Sequence, residues 1–322
     1  MTPSNPTSIT ADCFPIPALI LRTNDPTAQL SFRNFAHHQA KTACELHRTL
    51  TDVLGPVRDI DGRITAFTMA FETAEDWRHR IATASPHTVG RYSAGVAERF
   101  RTPVTDDNPN LFPIGEHERL RDGATWDPTT RTYCGGVETP ASQTMRQIGA
   151  LATARFTEPS IDVVGNRVTL HDGHAVNGMR LIRGHAAHRA AIEMVTRIAA
   201  RGGDTSRITT DGHLTYGASA PETDRKAIFD YAMVLLARDH GTPAAAVTAW
   251  LRAAYLLYQA PRRKRGIDAT IRAFLIAAGT YQLQRPPVLL HDIDLRAYVL
   301  RQDQFVSELR AAQSRDEINA SL

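Results

Sequence analysis

Lysine is close to absent from this chain. It stands only at 41, 226 and 264, so arginine supplies almost all of the 37 basic charges. Such usage fits the codon bias of a GC-rich bacterium, and equally a protein that avoids ubiquitin inside a host cell. Cysteine is sparse too: Cys13, Cys44 and Cys134 show no CxxC or CxxH spacing, and an odd number argues against a disulfide framework. No apolar run approaches the roughly 18 residues of a membrane-spanning helix. The stretch 14–21 is too short, and lacks the basic flank, for a cleavable signal. Position 2 is Thr rather than Gly, which excludes N-myristoylation. A soluble protein with no membrane partner is expected, cytoplasmic in a producing bacterium or secreted into a host cell if it is an effector. A net charge of only +3 gives little bulk attraction to nucleic acid, so no nucleic-acid partner is expected. The glycine-rich phosphate loops GxxxxGK[ST] and GxGxxG are missing as well.

What is present is ordinary globular composition, 42% hydrophobic and 22% charged, over 322 residues. Residues 1–25 are rich in Ser, Thr and Pro and read as a loose tail; 26–315 read as one domain. Asn24-Asp25-Pro26 opens a long helix ended by Gly55-Pro56, and Thr73 to Asp76 caps a short one carrying Trp77 and Ile81. Asp61-Gly62 reads as a turn, and a further helix is expected over 91–100. From 101 to 138 the chain is dense in Pro, Gly and Asp, an irregular stretch of functional or inserted character. Thr139-Pro140 opens the next helix. Ile161 to Val164 and Arg167 to Leu170 flank Gly165-Asn166 and predict a hairpin with a two-residue turn. Helices follow at about 185–200, 221–239, 243–260, 267–283 and 294–312. The class is mainly α (α+β), a helical domain with a β-hairpin flap.

The segment Gln259-Ala-Pro-Arg-Arg-Lys-Arg-Gly266 lies between the two most strongly patterned helices. Four cations there meet a helix entrance, where free amides and the positive end of the dipole point the same way. That is an anion site, with guanidinium forks suited to phosphate oxygens. A solvated basic loop is the competing reading.

The order Pro261…Arg265-Gly266…Pro286-Pro287…Asp294-Leu-Arg-Ala297…Gln304-Phe305-Val306 resembles the C-terminal pattern of the AvrB-type effectors, members of the Fido superfamily with the Fic and Doc proteins. Upstream, Ile64-Thr-Ala-Phe67…Asp76-Trp77-Arg78…Arg91-Tyr-Ser-Ala94…Glu98-Arg99 and Thr139-Pro140 resemble the same family. The resemblance covers about residues 31–312 and implies a Fido-like fold whose cleft takes a nucleotide diphosphate beside the flap. Fic enzymes carry His-Pro-Phe-x-Asp/Glu-Gly-Asn-Gly-Arg, with the His as base. Here the corresponding turn has Gln259 and Pro261 and no such His, which argues against nucleotidyl transfer by that route. AvrB is associated instead with sugar transfer from a dTDP-sugar to a threonine hydroxyl.

The resemblance implies Arg265, Gly266, Arg263 and Arg180 for the nucleotide phosphates, Asp294 and Thr139 as catalytic residues, and His213 toward the acceptor. Asp294 and Thr139 read equally as helix N-caps, and Arg180 as a surface residue. The pairs His171/His174 and His185/His188 lack a completing ligand, so no metal is expected. The expected activity is glycosylation of a hydroxyl on a protein or small molecule, from a nucleotide-diphosphate sugar (dTDP-rhamnose-type) as donor, with no cofactor required. Two alternatives remain: a non-catalytic nucleotide- or partner-binding protein, and the disfavoured Fic-like nucleotidyl transfer.

Overall fold

A proline starts the first long helix. In the computed structural model, which describes residues 8–57, 59–84, 94–210 and 214–320, Asp25 accepts hydrogen bonds from the amides of Thr27 and Ala28 and caps α1 (Pro26–Leu54). Asp59 likewise takes the Gly62 amide at 2.7 Å and helps start α2 (Ile60–Ala84). The helix expected only around 73–81 is therefore much longer, and Asp61-Gly62 is its first turn. Its described successor, residues 94–100, is a 3-10 helix. Then come β1 (Leu111–Ile114), β2 (Thr125–Asp127), β3 (Thr132–Cys134) and α3 (Pro140–Ala154). The chain continues through β4 (Val163–Thr169), β5 (Ala175–Ile182), α4 (Gly184–Ala199), β6 (Thr215–Ala218) and α5 (Glu222–Ala237). It ends with α6 (Pro243–Gln259), α7 (Ile267–Leu283), α8 (Ile293–Val299) and α9 (Gln302–Ala320). About 58% of the chain is helical, so the class is mainly α with a small antiparallel sheet. Among the described residues no helix is long and apolar enough to cross a membrane.

The centre is α6 and α7. Their sequences are apolar on nearly every side, and such helices are buried all round: Trp250, Tyr255, Tyr258, Phe274 and Leu275 are inaccessible to solvent. α7 packs on α1, α2 and α6. The Trp250 indole donates to the Leu275 carbonyl at 3.0 Å, satisfying its one polar atom inside the core. Phe71 meets Phe229 and Phe274 edge-on, at 5.1 and 5.2 Å between centroids.

The hairpin exists, but its turn does not fall at Gly165-Asn166. Those residues lie inside β4 at a bulge, and the turn is 170–174. A Gly within a strand pattern signals a bulge as readily as a turn, and here burial decides. Asn166 is pulled inward, where its amide donates to the Gln259 side chain at 3.1 Å and to the Tyr298 carbonyl at 3.1 Å. The hairpin is also not alone: four antiparallel strands run in the order β1-β6-β5-β4. β1 comes from the stretch read as irregular. At four residues each, β1 and β6 are too short to show a period.

The stretch expected as a loose tail is packed from residue 8 onward. Phe14 is 3% exposed in the main core, and the Ala18 amide donates to the His291 carbonyl at 2.8 Å. Its apolar residues outweigh its Ser/Thr/Pro content.

Candidate anion-binding pocket

The basic segment is held as a strand-like ribbon. The Val104 amide bonds the Arg262 carbonyl and the Lys264 amide bonds the Thr102 carbonyl, both at 3.0 Å. Residues 101–112 thus wrap the segment and wall a pocket. Along this ribbon the cations diverge. Arg262 stacks on Phe229, 4.7 Å from the ring centre, and pairs with Glu72 at 3.3 Å. Arg263 is neutralised by buried Glu75 at 3.0 Å and also donates to the Arg101 carbonyl. These two hold the ribbon to α2. Lys264 turns the other way.

Gly266 ends the ribbon in the left-handed region, φ 77°, and starts α7, where no side chain caps the first amides. A Cβ there would lie 2.6 Å from the Phe100 ring and 2.7 Å from the Arg78 stem. Gly266→Ala is therefore expected to lose about 1–2 kcal/mol from backbone handedness alone, with the steric contact in addition. Urea unfolding of the variant measures this; an unchanged midpoint rejects the strained turn. Arg78 itself is stacked between Phe35 and Phe100, 5.3 and 4.4 Å from their ring centres. Burial lowers its pKa to about 10.

A cavity of about 260 Å³ opens on the Lys264 side. Its rim is cationic, from Arg99, Arg197, Arg201 and Lys264, and its floor is apolar, including Phe112, Met179, Ile267 and Tyr298. Phe112 and Tyr298 rings lie 4.8 Å apart on that floor. Among the described residues no carboxylate or histidine lines it. Arg99 is half-buried, and among the described residues it has no hydrogen bond or ion pair. Its pKa is lowered by burial first, then by Arg265 and Arg201. Lys264 is pushed down to about 8 by burial and by Arg197, Arg99, Arg201 and Arg225. Like charges gathered without counter-charge raise the energy of the free protein, and a bound anion relieves it.

The expected site residues divide. Arg265 is exposed, without a hydrogen bond or ion pair among the described residues; its charge acts on Arg99, but it does not line the cavity. Arg180 faces away from the pocket that its neighbour Met179 lines, and donates to the Ser219 carbonyl at 3.3 Å. Thr139 is fully buried as the N-cap of α3, in a reciprocal capping box with Ser142, and its hydroxyl donates to the Leu120 carbonyl at 2.7 Å. It does not line the pocket. His213, like residues 91–93 of the resemblance, lies outside the described residues. Gln259 is wholly buried, with its oxygen taking the Met179 amide at 2.8 Å, and this ties the flap to α6.

Asp294 stands behind the floor. Its side chain is 15% exposed and 4.0 Å from Arg272, in a cluster with Asp268, Tyr258 and Tyr298. Burial first, then Asp268, pushes its pKa up to about 7, against the pull of Arg272. Tyr298 separates this acidic cluster from the cationic rim.

Sequence reasoning passed over Arg197 and Arg201. Their i,i+4 spacing near the end of α4 was a signal, since like charges so placed repel. A scan against protein-family models finds no match, and a search of curated proteins finds no relative.

Proposed function

We propose that the Arg99–Lys264 pocket binds the diphosphate of a nucleotide sugar, and that the protein transfers the sugar to a hydroxyl of a protein or small molecule. The observation that carries this reading is the cluster of uncompensated cations over an apolar floor, a combination suited to a polyphosphate joined to a ring system. The sequence resemblance to the AvrB type, with its Fido-like fold, supplies the transfer chemistry. In that transfer the bond from the anomeric carbon to the diphosphate breaks and a bond to the acceptor oxygen forms. Negative charge grows on the leaving diphosphate, where Arg99, Lys264 and Arg265 would stabilise it. Asp294, with a pKa near neutrality and only Tyr298 between it and the pocket, is the group suited to receive the acceptor's proton. Action within the producing bacterium or inside a host cell are both compatible with this role.

The test is thermal stabilisation across a panel of nucleoside diphosphates and nucleotide sugars, dTDP-rhamnose included. Arg99→Ala and Arg265→Ala are each expected to weaken binding about ten- to a hundredfold, the loss of one charged contact of roughly 1.5–3 kcal/mol. Unaltered binding in both variants rejects the pocket. One observation favours a second reading, binding without chemistry: no proton acceptor of carboxylate or imidazole type reaches the pocket among the described residues. Release of nucleoside diphosphate from a bound donor decides between the two.

A further inference from the structure

The Lys264 amine already donates two hydrogen bonds, to the Asn108 carbonyl at 3.0 Å and the Pro109 carbonyl at 2.6 Å. A neutral amine has two N–H groups and one lone pair, so both carbonyls are satisfied without the third proton. The positive groups acting on it come from every side: Arg197 and Arg201 from α4 and its end, Arg99 from the 3-10 helix 94–100, and Arg225 from α5. Among the described residues no carboxylate lines the pocket with it, and the acidic groups adjoining that circle, Asp106 and Glu222, act on Arg225.

We infer that Lys264 is the specificity-determining residue of this pocket, an amine tied to two backbone carbonyls among guanidinium groups that takes up its third proton when a polyanion binds. The third N–H of the resulting ammonium then points to a phosphate oxygen. The inference rests on the polyphosphate reading of the pocket. Its consequence is selection by charge. A ligand restores the proton only as far as it offsets the surrounding guanidinium charge, so a diphosphate gains far more than a monophosphate. By linkage, what favours the proton favours the ligand equally.

The free amine titrates near 8, and an ordinary lysine at 10.5. Between those values binding takes up a proton, so affinity for a ligand of constant charge falls with rising pH by up to about tenfold per unit. Below 8 that dependence fades.

The chain's scarcity of lysine makes the test clean. Selective ¹³C-lysine labelling marks only Lys41, Lys226 and Lys264 without altering the amine, and each Cε–Hε signal titrates separately by NMR, with Lys264→Arg assigning its own. The Lys264 signal is expected to turn over near pH 8 alone and at least one unit higher in saturating inorganic pyrophosphate. Calorimetry of pyrophosphate binding at pH 8, in buffers of differing ionisation heat, should show proton uptake that Lys264→Arg reduces. A Lys264 midpoint near 10 in the free protein overturns the inference. So does pyrophosphate binding with equal proton uptake in parent and Lys264→Arg, and in that case the pocket reading survives. Absence of any pyrophosphate binding removes both.

Discussion

Arg272→Met is expected to destabilise the protein by about 3–5 kcal/mol at pH 7.5, the usual result of removing one partner from a buried ion pair. Arg272 is wholly buried, yet every edge of its guanidinium is used. Nε bonds both Asp268 oxygens at 2.7 and 2.8 Å, and the two terminal nitrogens reach the Leu290 and His291 carbonyls at 3.0 Å each. Those carbonyls belong to the link between α7 and α8, so one side chain fixes the position of Asp294. Methionine fills the volume but leaves the Asp268 carboxylate facing Asp294 without a counter-charge. Urea unfolding measures the loss. Adding Asp268→Leu to the variant should recover much of it, because the cost lies in the unpaired charge rather than in missing volume. A loss below 1 kcal/mol in the single variant sinks this account.

Asp294→Asn should act in the opposite direction. The folded protein holds the Asp294 proton up to about pH 7, whereas the group's ordinary value is 3.8. The unfolded chain therefore releases that proton first as pH rises. The contribution to stability is complete below about pH 4, declines by about 1.4 kcal/mol per unit toward pH 7, and is level above that. Asparagine has no proton to lose, so the variant should exceed the parent by about 2–4 kcal/mol at pH 8 and match it near pH 4. Unfolding free energies across pH 4–8 check this, and parallel curves for the two proteins reject it. A stabilising substitution at a buried carboxylate marks a position kept for something other than stability, which agrees with the proton-accepting role proposed for Asp294.

The two expectations concern the same buried cluster. Arg272 keeps Asp294 in place and draws its pKa down; burial and Asp268 push it up, and they prevail. Tyr298, between this cluster and the pocket floor, has its hydroxyl pKa raised by the same burial and the same carboxylates.

Helix positions were legible because their signals are local. Pro26 behind Asp25, Pro140 behind Thr139 and Pro243 behind Thr242 each mark a first turn, and each opens a helix as read. The basic turn before α7 was legible for the same reason: a glycine at positive φ joins two apolar periodicities. The break between α8 and α9 was not. Leu300 and Arg301 carry no Pro or Gly, and the first of these helices ends where the Leu300 carbonyl accepts from the buried Tyr255 hydroxyl at 3.2 Å. The Gly165-Asn166 bulge is the mirror case, a turn signal overruled by the burial of Asn166 against Gln259.

The candidate site divides along the same line. From the sequence alone came a cationic approach to a helix entrance, and the prominence of Arg265, Gly266 and Asp294. Only the tertiary structure decided which cations remain uncompensated. The ribbon pairing of 102–104 with 262–264 sends Arg262 and Arg263 onto the acidic face of α2 and Lys264 into the pocket. There α4, packed on β6, brings Arg197 and Arg201 to meet Arg99. Helix starts and turns are set by neighbours within a few residues, which a sequence displays. Whether a charge is neutralised depends on which distant residue comes within about 4 Å of it, and that is a property of the fold.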